Sequence, residues 1–140
     1  MKLTDLIILA VLFLLVSTPK PPGAEGAQPL SEITVMDGDT LRADIDLGYG
    51  VTLKHQTVRM MGFDAWEISK HRQTITVTDD EIVKGNLAKA ALTKMIDDAK
   101  TVEARESGKK DPYGRQLLWI YIDGQEVGSA MRKLGHERHD

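Results

Sequence analysis

The sequence contains no cysteine, which excludes disulfide cross-links and cysteine-bound zinc. It also lacks an excess of basic residues: 18 lysines and arginines stand against 21 acidic residues, and the formal net charge is −3. Nucleic-acid-binding domains are more often basic, so this balance argues mildly against strong non-specific binding to DNA. It is compatible with an enzyme that recruits a cation to meet a polyanion.

The apolar run near the N-terminus is too short to span a bilayer. It covers residues 6–16 and is followed by a Pro/Gly-rich linker, whereas a membrane-spanning helix needs roughly 20 apolar residues. Its length is typical of a signal-peptide core. An uncleaved membrane anchor is the alternative, and the linker disfavours a buried helix of the fold. We therefore expect residues 1–27 to be a signal peptide or anchor. Residues 28–140 would form an exported domain, secreted or periplasmic, or held at a membrane by residues 6–16.

The exported part is predicted to form one domain of short strands and helices. Alternating apolar and polar residues predict five strands at 33–35, 40–47, 51–61, 101–105 and 115–122. Asp79-Asp80-Glu81 predicts a helix start, because acids favour the positive end of a helix. A second helix over 127–134 would be stopped by Gly135. This order fits an α+β fold, a five-stranded Greek-key barrel of the OB type with two or three packed helices. The expected buried face of the first helix comprises Leu87, Ala90, Ala91, Met95, Ile96 and Ala99.

Carboxylates and an arginine recur where the predicted strands end. Asp37 and Asp39 lie in a turn, Arg59 lies near the end of the third strand, and Asp64 and Glu67 follow it. Neighbouring carboxylates repel one another unless a positive charge lies between them, and a hard divalent cation is the usual solution. An arginine beside such a cation indicates a phosphate, because its fork holds two phosphate oxygens. These residues predict a metal-dependent phosphodiester hydrolase.

The motif Asp111-Pro112-Tyr113-Gly114-Arg115 supplies a second arginine at a turn-to-strand junction. Calcium is favoured over zinc because the candidate ligands are all oxygen and the motifs contain no cysteine or histidine. Magnesium could bind the same oxygens but demands tighter geometry.

Structural explanations compete with this hypothesis at each position. Asp37 could be only a hairpin residue and Asp64 a strand-end cap, and Arg59 could form an ordinary ion pair with Asp39 or Glu67. Taken together, five candidate positions that all hold the required residue type favour the catalytic interpretation. The alternative is a module of the same fold that binds nucleic acid or protein without cutting.

These motifs resemble the staphylococcal nuclease (thermonuclease) family over roughly residues 31–135. The resemblance rests on residues 37–40, 59–67 and 111–115 and on the closing segment from Asp123-Gly124 to Gly135. It implies an OB-type barrel and calcium-dependent cleavage of the 5′ P–O bond of DNA and RNA, which leaves 3′-phosphate ends.

The resemblance also implies a metal site. Asp39 and Asp64 would be direct calcium ligands, the backbone carbonyl of Ala65 a further ligand, and Asp37 an outer-shell residue. Glu67 would bind and orient the attacking water and take its proton.

By the same resemblance, Arg59 and Arg115 would grip the phosphate and stabilise the charge that builds on it, and Tyr113 would contact a neighbouring phosphate or the sugar. Lys109 or Lys110 would replace a phosphate-binding lysine of the staphylococcal enzyme, where this chain has Pro112.

Trp66 stands where the family has proline before the glutamate. It lacks proline's restraint on φ and would either pack or stack on a base. The basic residues 70–72 in a predicted loop would either contact a nucleic-acid backbone or be solvated, and residues 136–139 are predicted to be a solvated tail. The expected partner is DNA and/or RNA, with no protein partner, and the chain is expected to be a monomer.

Overall fold

The structure is a computed structural model that describes residues 21–69 and 77–139. In these residues, five strands close into a mixed β-barrel accompanied by two helices, which confirms the predicted α+β, OB-fold-like class. The apolar run at 6–16 and the basic residues 70–72 lie outside the described residues. No helix in the described part combines the length and apolarity needed to cross a membrane. The elements are β1 (Gln28–Asp37), β2 (Thr40–Gly48), β3 (Val51–Met60), α1 (Asp79–Asp97), β4 (Val102–Glu106), β5 (Gln116–Ile122), the two-residue β6 (Gln125–Glu126) and α2 (Val127–Lys133).

The barrel closes through a parallel pairing between β3 and β5. The other neighbours, in the order β3-β2-β1-β4-β5-β6, pair antiparallel. Arg59 on β3 lies opposite Thr40 of β2 on one side and opposite Leu117 of β5 on the other. This register brings the start of β2, the end of β3 and the start of β5 to one end of the barrel.

Strand β1 is longer than the predicted 33–35. A backbone irregularity interrupts the alternation of apolar and polar residues, and the sequence pattern therefore shows only part of the strand. Its pairing with β2 shifts register between Ser31 and Thr34, and Glu32 has a φ of 50°. Strand β3 has a similar irregularity at His55, whose φ is 52°. There the His55 N–H and the Lys54 ammonium both donate to Asp44 at 2.9 Å, which compensates the burial of that carboxylate.

Helix α1 begins where the sequence predicts, but a different face is buried. Thr78 caps its N-terminus and forms a capping box with Glu81. The predicted buried face is wrong in part: Leu87 is 57% exposed and Ala90 is exposed, whereas Gly85, Ala88 and Leu92 are buried. Ala91, Met95 and Ile96 are partly buried against the core. The buried face is rotated because α1 packs closely at two small residues, Gly85 against the Trp66–Glu67 backbone and Ala88 against Gly38.

The residues just before β1 also contact the barrel. The Tyr121 hydroxyl donates to the Pro22 carbonyl, and the Arg105 guanidinium donates to the carbonyls of Gly23 and Glu25. Packing of the described chain therefore extends ahead of the boundary predicted at residue 28.

Candidate active site

The turn between β1 and β2 carries two carboxylates, and its Gly38 lies against the middle of α1. The Asp39 N–H donates to Asp37 Oδ1 at 3.0 Å, which closes the turn. A Cβ on Gly38 would lie 2.7 Å from the Cβ atoms of both Ala65 and Ala88. A glycine is therefore needed here for close approach, and the turn is fixed against the segment that carries Asp64 and Glu67.

Asp39 is a largely buried carboxylate with several donors. Its side chain is 12% exposed, and it accepts from the Ala65 N–H at 2.8 Å and the Thr40 hydroxyl at 2.9 Å. Burial, followed by the hydrogen bond and charge of Asp37, raises the pKa of Asp39 to about 6, although Arg59 and the Ala65 N–H oppose the rise. The largely buried Asp39 carboxylate and the half-buried Asp37 beside it attract positive charge to this position.

Arg59 supplies that positive charge in the structure. Its Nη2 lies 3.3 Å from Asp39 Oδ2 and also bonds Asp64 Oδ1. Its Nη1 donates to the carbonyls of Met60 at 2.8 Å and Phe63 at 2.7 Å. The guanidinium therefore bridges the β1–β2 turn and the segment after β3. Of the two ion pairs considered from the sequence, the one with Asp39 is present.

Arg115 is held by Asp111, which the sequence analysis did not assign a role. Arg115 Nε and Nη2 donate to the two Asp111 oxygens, each at 3.0 Å, and the backbone N–H groups of Tyr113 and Arg115 add two bonds at 3.1 Å. These bonds, led by those from the Arg115 side chain, lower the pKa of Asp111 to about 2. Asp111 and the nearby Asp39 and Asp37 raise the pKa of Arg115, so Arg115 remains charged.

Both arginines line one cavity at this end of the barrel. Its volume is about 400 Å³, and its polar lining groups are two arginines facing three acids. Glu67 lies outside the residues that line it. The lining comprises Arg59, Met60, Gly62, Phe63, Asp64, Asp111, Arg115, Leu117 and Glu137.

The expected calcium ligands lie near one another but are not gathered around a common point. Among residues 21–69 and 77–139, no three His, Cys, Asp or Glu side chains are arranged to hold a metal ion. The side chain of Asp64 is 67% exposed and turned to Arg59, which occupies the position between Asp64 and Asp39. The donors suit calcium chemically, since all are hard oxygens. A cation bound there would compete with Arg59 Nη2 for the same two carboxylates.

Glu67 is positioned by contacts with two other segments. Its Oε1 lies 3.9 Å from Arg138 Nη1. A Cβ on Gly85 of α1 would lie 2.3 Å from the Glu67 carbonyl oxygen and 2.7 Å from that of Trp66. The helix therefore lies directly on this part of the chain. Among the described residues, Glu67 pairs with Arg138.

The candidate substrate-binding residues lie on either side of the cavity. Tyr113 is 80% exposed, with its ring 5.6 Å from the Arg115 guanidinium, and Lys109 and Lys110 are exposed in the same loop. Trp66 is half-buried, with Lys84 Nζ 4.7 Å from its ring centre. It lines a separate groove of about 340 Å³ between α1 and residues 134–139, so both packing and stacking remain open to it.

The predicted solvated tail is instead part of this region. Residues 136–138 are half-buried, and Ala65 forms an antiparallel bridge with Glu137. The sequence could have indicated the contact of Asp111 with Arg115, because Asp111 lies four residues before Arg115 across a turn. It could not have indicated the contacts of Glu137 and Arg138, because these residues are far in sequence from the segment that they contact.

Fold and site together define a small OB-fold-like barrel with an arginine- and carboxylate-lined cavity at one end. No protein-family model and no curated protein matches the chain.

Proposed function

We propose that the chain is an exported, calcium-dependent nuclease that hydrolyses phosphodiester bonds of DNA and/or RNA and leaves 3′-phosphate ends. One observation carries the proposal: Arg59 on β3 and Arg115 just before β5 line one cavity with Asp64 and Asp111. If the two arginines had only a structural role, neither would need to face a cavity.

The two arginines would bind the scissile phosphate and stabilise the charge that develops on its oxygens. Both are held in place before substrate arrives, Arg59 by two carbonyls and Arg115 by Asp111. Preorganised donors of this kind stabilise a transition state without reorganisation cost. Because Arg115 Nε and Nη2 already donate to Asp111, a phosphate oxygen would accept a hydrogen bond from Arg115 Nη1.

Asp39, Asp64 and the Ala65 carbonyl would hold the calcium ion, with Asp37 in the outer shell. The bound ion would supply positive charge beside the phosphate and offset its repulsion from the carboxylates. Glu67 would orient the attacking water and accept its proton.

The test is to incubate the full chain with DNA and with RNA, in calcium or in a calcium chelator, beside Glu67→Gln. We expect cleavage that requires calcium. Removing the general base should lower kcat by about 10²–10⁴-fold, the usual contribution of such a group. Glutamine keeps the shape of Glu67, and circular dichroism would check its fold. A folded wild-type protein that cuts neither substrate in calcium or magnesium would overturn the proposal.

A second candidate is a nucleic-acid- or protein-binding module without catalysis. It is favoured by the ion pairing of both arginines with carboxylates, which offsets their charge, and by the groove beside Trp66. Binding of single-stranded DNA that persists in the chelator, is lost in Trp66→Ala and leads to no cleavage would support this module.

A further inference from the structure

Residues 136–139 pack along the segment that carries the candidate catalytic glutamate. Besides the bridge between Ala65 and Glu137, the Arg138 N–H donates to the Asp64 carbonyl at 2.8 Å. These two contacts form a short antiparallel pairing outside the barrel. They fix the backbone of Asp64 and Ala65 but leave the Glu67 side chain to be oriented by other groups.

Helix α2 strengthens this pairing through Arg132. Its Nη2 donates to the Gly62 carbonyl at 2.6 Å, and its Nε donates to Glu137 Oε2 at 2.7 Å. One guanidinium therefore joins the start of the 62–67 segment to residue 137. The segment is restrained at its beginning and in its middle.

At the end of the segment, Arg138 makes a charged contact with Glu67. Its Nη1 lies 3.9 Å from Glu67 Oε1, and the two side chains are 29% and 32% exposed. Neither Trp66 nor Glu67 fixes its own φ as a proline would. The direction of the carboxylate therefore depends on contacts from other segments, and Arg138 reaches it from a backbone position already fixed at Asp64.

We propose that Arg138 is a positioning residue for Glu67, and that residues 136–139 hold the 62–67 segment in its working geometry. The catalytic half of this proposal rests on the proposed nuclease function. Arg138 touches the glutamate, not the phosphate. It would act by restricting the carboxylate to the orientation in which it meets the attacking water.

The test is a double-mutant cycle in the full chain with Arg138→Met, Glu67→Gln and the combination. In the wild-type background we expect Arg138→Met to lower kcat by about tenfold to a hundredfold, the cost of a small misplacement, with KM little changed. In the Glu67→Gln background it should have almost no further effect. Arg138→Lys should recover much of the rate, because Arg138 approaches Glu67 through Nη1, and an ion pair at this distance does not need the guanidinium fork. Arg105→Met, which removes an arginine bonded to Gly23 and Glu25, is the matched control and should leave kcat unchanged.

A second readout does not depend on activity. The backbone amides of residues 64 and 65 should stay near the rigid value of about 0.85 in Arg138→Met, because the bond from the Arg138 N–H and the bridge to Glu137 do not involve the Arg138 side chain. The side-chain order parameters of Glu67 from NMR relaxation should fall in Arg138→Met and should stay unchanged in Arg105→Met. If the wild type cuts no nucleic acid but these parameters fall, the nuclease proposal fails and the restraint by Arg138 stands. Unchanged side-chain order parameters of Glu67 would overturn the positioning role. An equal loss of kcat in both Glu67 backgrounds would overturn it as well.

Discussion

Asp111 shows how one carboxylate can prepare a cationic site. Its side chain is only 5% exposed and meets the Arg115 guanidinium through two parallel bonds. Paired bonds of this kind fix the direction of a guanidinium as well as its charge. The proposed role of Arg115 therefore depends on a residue that would itself not touch substrate.

This pairing predicts a pH dependence of stability. The folded pKa of Asp111, about 2, lies below its ordinary value of 3.8, so folding favours the charged form. The resulting stabilisation is fully present above about pH 4 and is lost as the pH falls towards about 2. We expect Asp111→Asn to be less stable than wild type at pH 7, and the difference to shrink over that window. Urea unfolding at several pH values measures it.

Asp97→Asn, an exposed change on α1, controls for the loss of one acid. A wild-type advantage over Asp111→Asn that grows as the pH falls would contradict the assignment of the pair.

The motif residues themselves could be found from the sequence because each motif is local. Asp37 and Asp39 share one turn, and Asp111 and Arg115 share another. Their partners from other segments could not be found in this way. Nothing near Glu67 in the sequence indicates Arg138, since that contact depends on the path of the chain after α2 ends.

Helix α1 fixes the candidate site through a residue with no side chain. Gly85 is buried, and its Cα faces the Trp66–Glu67 backbone. A pattern search looks for large apolar residues at helical spacing, which is why Leu87 was predicted to be buried although it is exposed. The surface that meets the barrel is instead formed by Gly85, Ala88 and Leu92.

Gly85→Ala should therefore destabilise the protein, against the usual trend. Alanine gains about 1 kcal/mol over glycine inside a helix, but its Cβ would lie 2.3 Å from the Glu67 carbonyl oxygen, a backbone atom. Overpacking of this kind costs about 1–3 kcal/mol, so the clash prevails. We expect a lower unfolding midpoint and a fall in nuclease rate at temperatures where the variant is still folded.

Asn86→Ala, at the exposed neighbouring position, is the matched control. A Gly85→Ala variant as stable and active as the control would show that α1 does not set the position of Glu67.

Across the whole molecule, the barrel class could be predicted from the sequence, but the strand pairing that closes the barrel could not. The alternation in β2, β3 and β5 and the turns between strands are local signals, and they suffice for an OB-type prediction. The parallel pairing that places Val58 opposite Gln116 joins distant parts of the chain, and no local pattern encodes it. That pairing brings Arg59 and Arg115 to one cavity.

The carboxylates at this end of the barrel predict that calcium stabilises the whole fold. A ligand that binds only the folded state adds about 2.7 kcal/mol at a hundredfold excess over its Kd, which for a domain of this size corresponds to roughly 5–15 °C in Tm. We expect a rise of this order when the full chain is melted in calcium instead of chelator. The concentration needed would be read from a calcium titration.

Asp39→Asn should abolish this calcium-dependent rise, because Asp39 is the more deeply buried of the two proposed carboxylate ligands, with its side chain 12% exposed against 67% for Asp64. Asp97→Asn should keep the rise. Neutral asparagine also removes the repulsion between residues 37 and 39, so the variant should be at least as stable as wild type in chelator. An equal rise in both variants would place the ion elsewhere. No rise in a folded wild type would remove calcium from the proposal, whereas the arginine-lined cavity would remain available to a phosphate.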